Sequence, residues 1–265
     1  MSRIGPTFER LRAEGRAALI AYVTVGYPSL PVTLQLVPRL AQAGCDIVEL
    51  GVPFSDPLAD GATIQAASFS ALKQGISLRI CLETAARLRE IVATPLVFMS
   101  YHNPLLRYGL ARFSEDCRAS GVDGLIVPDL PPEEGAELQE QLSEQGLDSV
   151  YLLAPTSTPE RIDHIARRSS GFIYLVSLQG VTGARPSLQL DLPDFVGRVR
   201  RVTSQPLCVG FGIATPQQAQ AVARLADGVI VGSRLIQVME EGRDPVAAAV
   251  SYVTALRQAI DQSGA

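Results

Sequence analysis

Histidine and cysteine are scarce in this sequence and poorly placed for metal chemistry. The two histidines, His102 and His164, belong to no H-x-x-H or H-E-x-x-H pattern, and Cys45, Cys81, Cys117 and Cys208 form no C-x-x-C pair. Transition-metal sites need ligands at such spacings, so no metal centre is expected. The thiols read as reduced and mostly buried, as in a cytoplasm. No apolar run approaches the ~18 residues of a membrane helix. The segment from Arg3 to Arg16 interleaves Arg and Glu where an export signal would carry an apolar stretch. One sign of charge does not dominate either. The net charge is −4 with acids and bases interspersed, which leaves no field to concentrate nucleic acid or anionic lipid. An anionic ligand would need a local site. Low-complexity tracts and linkers are also missing, and the expectation is a soluble, unexported, cytoplasmic protein that binds neither nucleic acid nor membrane.

What is present is a large apolar fraction, 47% of 265 residues against 19% charged, enough for a sizeable core. Short β-branched runs alternate with helical patterns, the order that builds a parallel sheet. Eight runs are read as strands: Ala18–Val25, Ile47–Gly51, Leu96–Ser100, Gly124–Val127, Val150–Ala154, Phe172–Ser177, Leu207–Gly210 and Gly228–Val231. Several are apolar throughout, as strands covered on both faces should be. Eight units in 265 residues, close to the ~250 typical of a closed barrel, suggest closure. The predicted fold is α/β: residues 1–265 as one (β/α)8 barrel of the TIM type, with an extra N-terminal helix and long loops after strands two and six.

Helix ends are legible as well. Thr215-Pro216-Gln217-Gln218 supplies a cap, a Pro at the first helical position and a Gln three after the cap. Thr158-Pro159 and Asp244-Pro245 open two more helices. In the last, Val246, Val250, Val253 and Ile260 form a helical stripe that reads as core.

Two connections break the rhythm, Val52 to Gly61 and Gln179 to Asp191. Both follow strands, so in a barrel both emerge on the C-terminal face, where catalysis occurs. Glu49 ends the otherwise apolar strand Ile47-Val48-Glu49-Leu50-Gly51. Burial there would raise its pKa and keep a proton available for donation near neutral pH; the alternative is a Glu paired with a Lys or Arg of a neighbouring strand. Asp60 stands just before a helical pattern, either as a catalytic carboxylate or as a helix N-cap.

Gly210-Phe211-Gly212 ends the seventh strand and Gly232-Ser233 the eighth, each leading into a helix. Glycines admit a phosphate to the backbone, and free N–H groups at a helix N-terminus complement its charge, so this pair reads as a phosphate site, with simple turn glycines as the alternative. The segment Gly180 to Pro186 suits a mobile lid presenting a hydroxyl, or an ordinary surface loop. Tyr22, Tyr101 and Tyr174 lie in or at the ends of strands and could hold a flat apolar substrate or simply pack.

The segment Val48-Glu49-Leu50-Gly51-Val52-Pro53-Phe54-Ser55-Asp56-Pro57-Leu58-Ala59-Asp60-Gly61 resembles the hallmark of the tryptophan synthase alpha family. Further matches follow in family order: Tyr22 to Pro28, Tyr101-His102-Asn103-Pro104, Val127 to Pro131, Gly180-Val181-Thr182-Gly183 and Gly210-Phe211-Gly212-Ile213. The resemblance covers nearly the whole chain. It implies a reverse aldol cleavage of indole-3-glycerol phosphate to indole and glyceraldehyde 3-phosphate with no metal or organic cofactor. By it, Glu49 moves a proton to the indole carbon bearing the glycerol chain, and Asp60 binds the indole N–H and stabilises the charge developing there.

The phosphate falls, by the same resemblance, to Gly183, Gly212, Gly232 and Ser233, and the indole pocket to Tyr22, Met99, Ile126, Tyr174 and Phe211. Thr182 meets Asp60 when the lid closes. The implied partner is a beta subunit, in an alpha2-beta2 assembly, whose pyridoxal phosphate condenses the released indole with serine; the Asp56 loop and the Asp129 region resemble the surfaces that face it. Two departures stand out. Ala62 follows Gly61 where the family commonly has Pro, which could loosen the loop. Leu178-Gln179 occupy a lid start where many members carry Arg, which could shift the lid's closing equilibrium. Alternatives are a stand-alone indole-glycerol-phosphate lyase, another phosphate-binding barrel such as a sugar-phosphate epimerase or isomerase, and a barrel retained only to activate a beta subunit.

Overall fold

Successive strand residues point alternately into and out of the sheet, and here both directions are apolar. In the computed structural model, which describes residues 1–176, 192–210 and 212–263, the inward residues form one core and the outward ones another. Ala18, Ile20, Ile47, Val97, Ile126, Val150, Tyr174, Cys208 and Ile230 fill the interior. Leu19, Val23, Val48, Leu50, Phe98, Leu125, Leu175 and Val209 pack outward under the helices. This double burial explains why the strands read as unbroken apolar runs.

The strands are β1 (Ala18–Thr24), β2 (Ile47–Gly51), β3 (Leu96–Met99), β4 (Gly124–Ile126), β5 (Asp148–Val150), β6 (Leu152–Leu153), β7 (Ile173–Val176), β8 (Leu207–Gly210) and β9 (Gly228–Val231). All pairings are parallel, in the order β5-β4-β3-β2-β1-β9-β8-β7-β6. The predicted fifth strand, Val150–Ala154, begins earlier and is split at Tyr151. One half pairs with β4 and the other with β7. The Tyr174 N–H donates to the Tyr151 carbonyl at 3.0 Å, carrying the ladder across the break. The nine segments thus make eight staves and a closed α/β barrel.

Twelve helices are found among the described residues. The extra N-terminal helix, α1 (Ile4–Ala13), buries Ile4, Phe8 and Leu11 in the interior cluster. Phe8 meets Phe172 at 6.0 Å between ring centroids, so α1 plugs the N-terminal end. The expected caps are present. Thr215 and Gln218 form a capping box at α10 (Pro216–Ala223). The Asp244 carboxylate accepts from the N–H groups of Val246 and Ala247 at α12 (Pro245–Asp261). Val246, Val253 and Ile260 of the predicted stripe are buried, and Val250 packs against them.

One device recurs four times at the N-terminal end. The Leu19 N–H donates to Asp46 at 2.9 Å, Leu96 to Asp123 at 2.9 Å, Ser149 to Ser170 at 2.9 Å and Leu207 to Asp227 at 2.8 Å. In each case the backbone N–H of the acceptor residue donates back to the carbonyl of its partner. Four alternate strand pairs around the barrel are clamped alike, and the three aspartates also meet arginines: Asp46 with Arg257, Asp123 with Arg3 and Arg89, and Asp227 with Arg200. Among the described residues no helix is long and apolar enough to cross a membrane.

Candidate active site

The C-terminal end of the barrel opens into a cavity of about 220 Å³, with Glu49 and Asp60 both on its wall. Glu49 points inward from β2, 1% exposed, in register with Tyr22 on β1 and Val97 on β3. Neither neighbour is a cation, and among the described residues Glu49 Oε1 has no hydrogen-bond partner. The ion-pair alternative therefore fails. Burial alone pushes its pKa up to about 8, because the charged form loses its hydration without compensation.

Asp60 is not a helix cap. The N-cap of α3 (Ala62–Lys73) is Gly61, and no side chain caps that end. The segment carrying Asp60 is fixed from several sides. Tyr101 Oη accepts the Ala59 N–H at 2.9 Å, Gln65 Nε2 donates to the Asp60 carbonyl at 2.9 Å, and Ser68 Oγ accepts the Phe54 N–H at 2.9 Å. The Phe54 ring lies 5.3 Å from that of Tyr101. So held, Asp60 turns an unpartnered Oδ1 into buried space. Burial raises its pKa to about 6, with the Tyr101 hydroxyl pulling the other way. Ala62 sits at the first position of α3, the place where Pro is most readily accommodated in a helix.

The indole-pocket residues of the sequence reading divide. Tyr22, Met99 and Tyr174 line the cavity. Ile126 is fully buried in the interior core, in register with Met99 of the cavity wall. Tyr22 lies so close over β2 that a Cβ on Gly51 would fall 2.1 Å from its hydroxyl, and Tyr174 similarly covers Gly210 at 2.2 Å. These glycines let two large rings lie flat against the sheet and leave the cavity open between them. The Thr24 hydroxyl meets that of Tyr22 at 3.4 Å.

Gly212, with φ of +78°, Gly232 and Ser233 gather at another edge of the cavity. Gly232 caps α11 (Ser233–Glu241) without a side-chain partner. The first backbone bond of that helix is the Ile236 N–H to the Gly232 carbonyl at 3.2 Å, so the N–H groups ahead of it are directed at the cavity edge without intrahelical partners. Thr182, Gly183 and Phe211, like the lid from Gly180 to Pro186 and the departure at Leu178-Gln179, lie outside the described residues. Sequence reasoning missed Ile64, Ile213, Ala214, Ile230, Arg234 and Gln237, all on the cavity wall. Ile64, Arg234 and Gln237 lie within a turn or two of a flagged loop on helices that begin at the cavity, and that proximity was the available signal.

The arrangement joins a carboxyl held well above its ordinary pKa, a second one raised less, two aromatic walls and a helix N-terminus. Comparison with known proteins agrees with this chemistry. The family model for the tryptophan synthase alpha chain matches residues 8–263. A tryptophan synthase alpha chain of Dehalococcoides mccartyi is 52% identical over 262 residues, covering 98% of this chain and 100% of that one; one from Roseiflexus castenholzii is 54% identical over 260 residues, covering 97% and 100%. The crystal structure of tryptophan synthase subunit alpha from Legionella pneumophila superposes with a TM-score of 0.92 at 38% identity, covering 99% of each chain. A Mycobacterium tuberculosis tryptophan synthase structure gives 0.90 at 42%, covering 98% of each. The chain belongs to the tryptophan synthase alpha chain family.

Proposed function

We propose that this cavity performs the reverse aldol cleavage of indole-3-glycerol phosphate to indole and glyceraldehyde 3-phosphate, with Glu49 as its acid and base, Asp60 as the carboxylate that stabilises the charge on the ring, and no resident cofactor. The observation carrying this reading is the pair of cavity carboxyls, each with one buried oxygen unpartnered among the described residues, whose surroundings separate their pKa values, about 8 and about 6. Between those values Glu49 holds a proton and Asp60 does not, the division of roles an acid and a charge stabiliser require.

The reaction needs a proton at the indole carbon that bears the glycerol chain. Glu49 supplies it, and the ring nitrogen becomes positive. Asp60, ionised, accepts the indole N–H and stabilises that charge. The carbon–carbon bond then breaks, its electron pair returns to the ring and neutralises the nitrogen, and the side-chain hydroxyl loses its proton to become the aldehyde. Glu49, now a carboxylate, takes that proton and is restored. Tyr22, Met99 and Tyr174 would flank the flat ring, with Ile126 and Phe211 as further members of the pocket. Gly183, Gly212, Gly232 and Ser233 would receive the phosphate, and Thr182 would meet Asp60 on closure.

The released indole would pass to a beta subunit carrying pyridoxal phosphate, in an alpha2-beta2 assembly. Leu58, 92% exposed beside Asp56, supports a docking surface there, and Asp129, whose carboxylate accepts the His102 N–H at 2.9 Å, ties the neighbouring region to the Tyr101 strand end. Four free, buried cysteines support a cytoplasmic setting. Indole release, measured with and without a beta subunit, tests the reading. Turnover that rises on complex formation is expected. Full activity alone with no complex would assign a stand-alone lyase, and inert indole-glycerol phosphate would overturn the activity.

A further inference from the structure

Arg234 is the one cationic side chain on the cavity wall among the described residues. It occupies the second position of α11, the helix whose free N–H groups edge the cavity. The same cavity carries Asp60, ionised at neutral pH, beside the neutral acid Glu49, so a substrate bearing a phosphate dianion meets a like charge there and needs a cation near its phosphate. A helix N-terminus offers only about half an elementary charge in compensation.

In this structure the guanidinium is turned away along the helix. It donates to Glu241 at 2.7 and 3.0 Å and to Gln237 Oε1 at 3.3 Å. Glu241 is mostly exposed, with 61% of its side-chain surface open, and exposed ion pairs are weak because water and salt screen them. The Cα–Cβ bond of a helical residue leans toward the helix N-terminus. Rotation about the side chain's own bonds therefore carries the guanidinium back over the first turn, where the glycines meet the cavity. A phosphate there is less screened than Glu241 and presents oxygens that match the guanidinium fork.

Taking the phosphate site of the proposed function as its basis, we infer that Arg234 is a substrate-binding residue that exchanges its ion pair with Glu241 for the substrate phosphate. Glu241 is then a competitor that holds the cation in reserve.

The test is titration calorimetry of glycerol 3-phosphate, inorganic phosphate and indole against wild type, R234A, R234K and E241Q, together with steady-state cleavage of indole-3-glycerol phosphate. R234A is expected to weaken both phosphate ligands and raise KM by about tenfold, with kcat less affected and indole binding unchanged, since the lost contact is with the phosphate and not the reacting carbon. R234K should recover part of the affinity, and E241Q should tighten both phosphate ligands by about twofold by freeing the guanidinium. Unchanged phosphate affinity in R234A and E241Q would overturn the inference even if cleavage proceeds normally. An inert substrate with glycerol 3-phosphate still weakened in R234A would sink the proposed reaction and leave Arg234 as an anion-binding residue. A loss confined to kcat would also overturn it.

Discussion

Both ends of this barrel hold carboxylates that are wholly or partly buried, and they treat them in opposite ways. At the N-terminal end Asp46, Asp123 and Asp227 each accept a strand N–H and each meet at least one arginine. At the C-terminal end Glu49 and Asp60 each keep an oxygen with no partner among the described residues. A buried charge costs several kcal/mol unless it is paired and hydrogen-bonded. One end meets that cost with donors and closes four strand pairs; the other leaves it standing and obtains shifted pKa values. Stability and reactivity are separated by the length of a strand, which is why the reactive end can be poorly satisfied without loss of the fold.

The strongest way to break this contrast is at Glu49. E49Q should lower kcat/KM for indole-glycerol phosphate by about 10²–10⁴, the usual worth of a positioned proton donor, while the barrel stays folded. Its effect on stability has the opposite sign. Glu49 titrates near 8 in the folded chain against 4.5 as its ordinary value. The unfolded chain therefore releases the proton first, and wild type loses stability as pH rises from about 4.5 through about 8. E49Q lacks that loss, so urea unfolding should show it more stable than wild type above pH 8, by on the order of 3–5 kcal/mol, with the gain vanishing toward pH 4.5. A variant that is both active and no more stable at high pH would remove Glu49 from the site. For wild type, turnover against pH should be bell-shaped, rising near 6 and falling near 8.

At the other end, D123A is expected to cost about 3–5 kcal/mol in denaturant unfolding, since it strands Arg89 and the Leu96 N–H. The kcat of the folded fraction should be unchanged; a catalytic defect without destabilisation would erase the distinction between the ends. D60N sharpens it further. A fall of about 10²–10³ in kcat is expected, without the ~1 kcal/mol of stability that a lost helix cap would take. The smallest effect belongs to a true cap. T215A should destabilise by about 1 kcal/mol and leave turnover alone, as its hydroxyl accepts only the Gln218 N–H.

Much of this was legible in the residues. The eight staves, the caps at Thr215 and Asp244 and the suspicion attached to Glu49 all follow from local pattern, because strand alternation, helix capping and the oddity of a charge in an apolar run are properties of neighbours in sequence. Asp60 was ambiguous for the same reason: the residues beside it allow either a cap or a catalytic group. Only the contacts of Tyr101, Gln65 and Ser68, brought from other elements, decide between them. The fourfold clamp has a faint trace in Asp46, Asp123 and Asp227 standing immediately ahead of their strands, but the partner N–H groups lie on the strand before.

The two carboxylates illustrate what each level determined. By itself the sequence establishes a parallel α/β barrel, places Glu49 on a buried strand end and puts glycines where two helices begin, since periodicity and residue chemistry are local. Only the tertiary structure decides that no cation from β1 or β3 reaches Glu49, that Asp60 turns into the same cavity, and that Arg234 stands at its edge. Those facts depend on register and closure, which set the distance between groups far apart in the chain and so determine which charges are compensated and which are left to react.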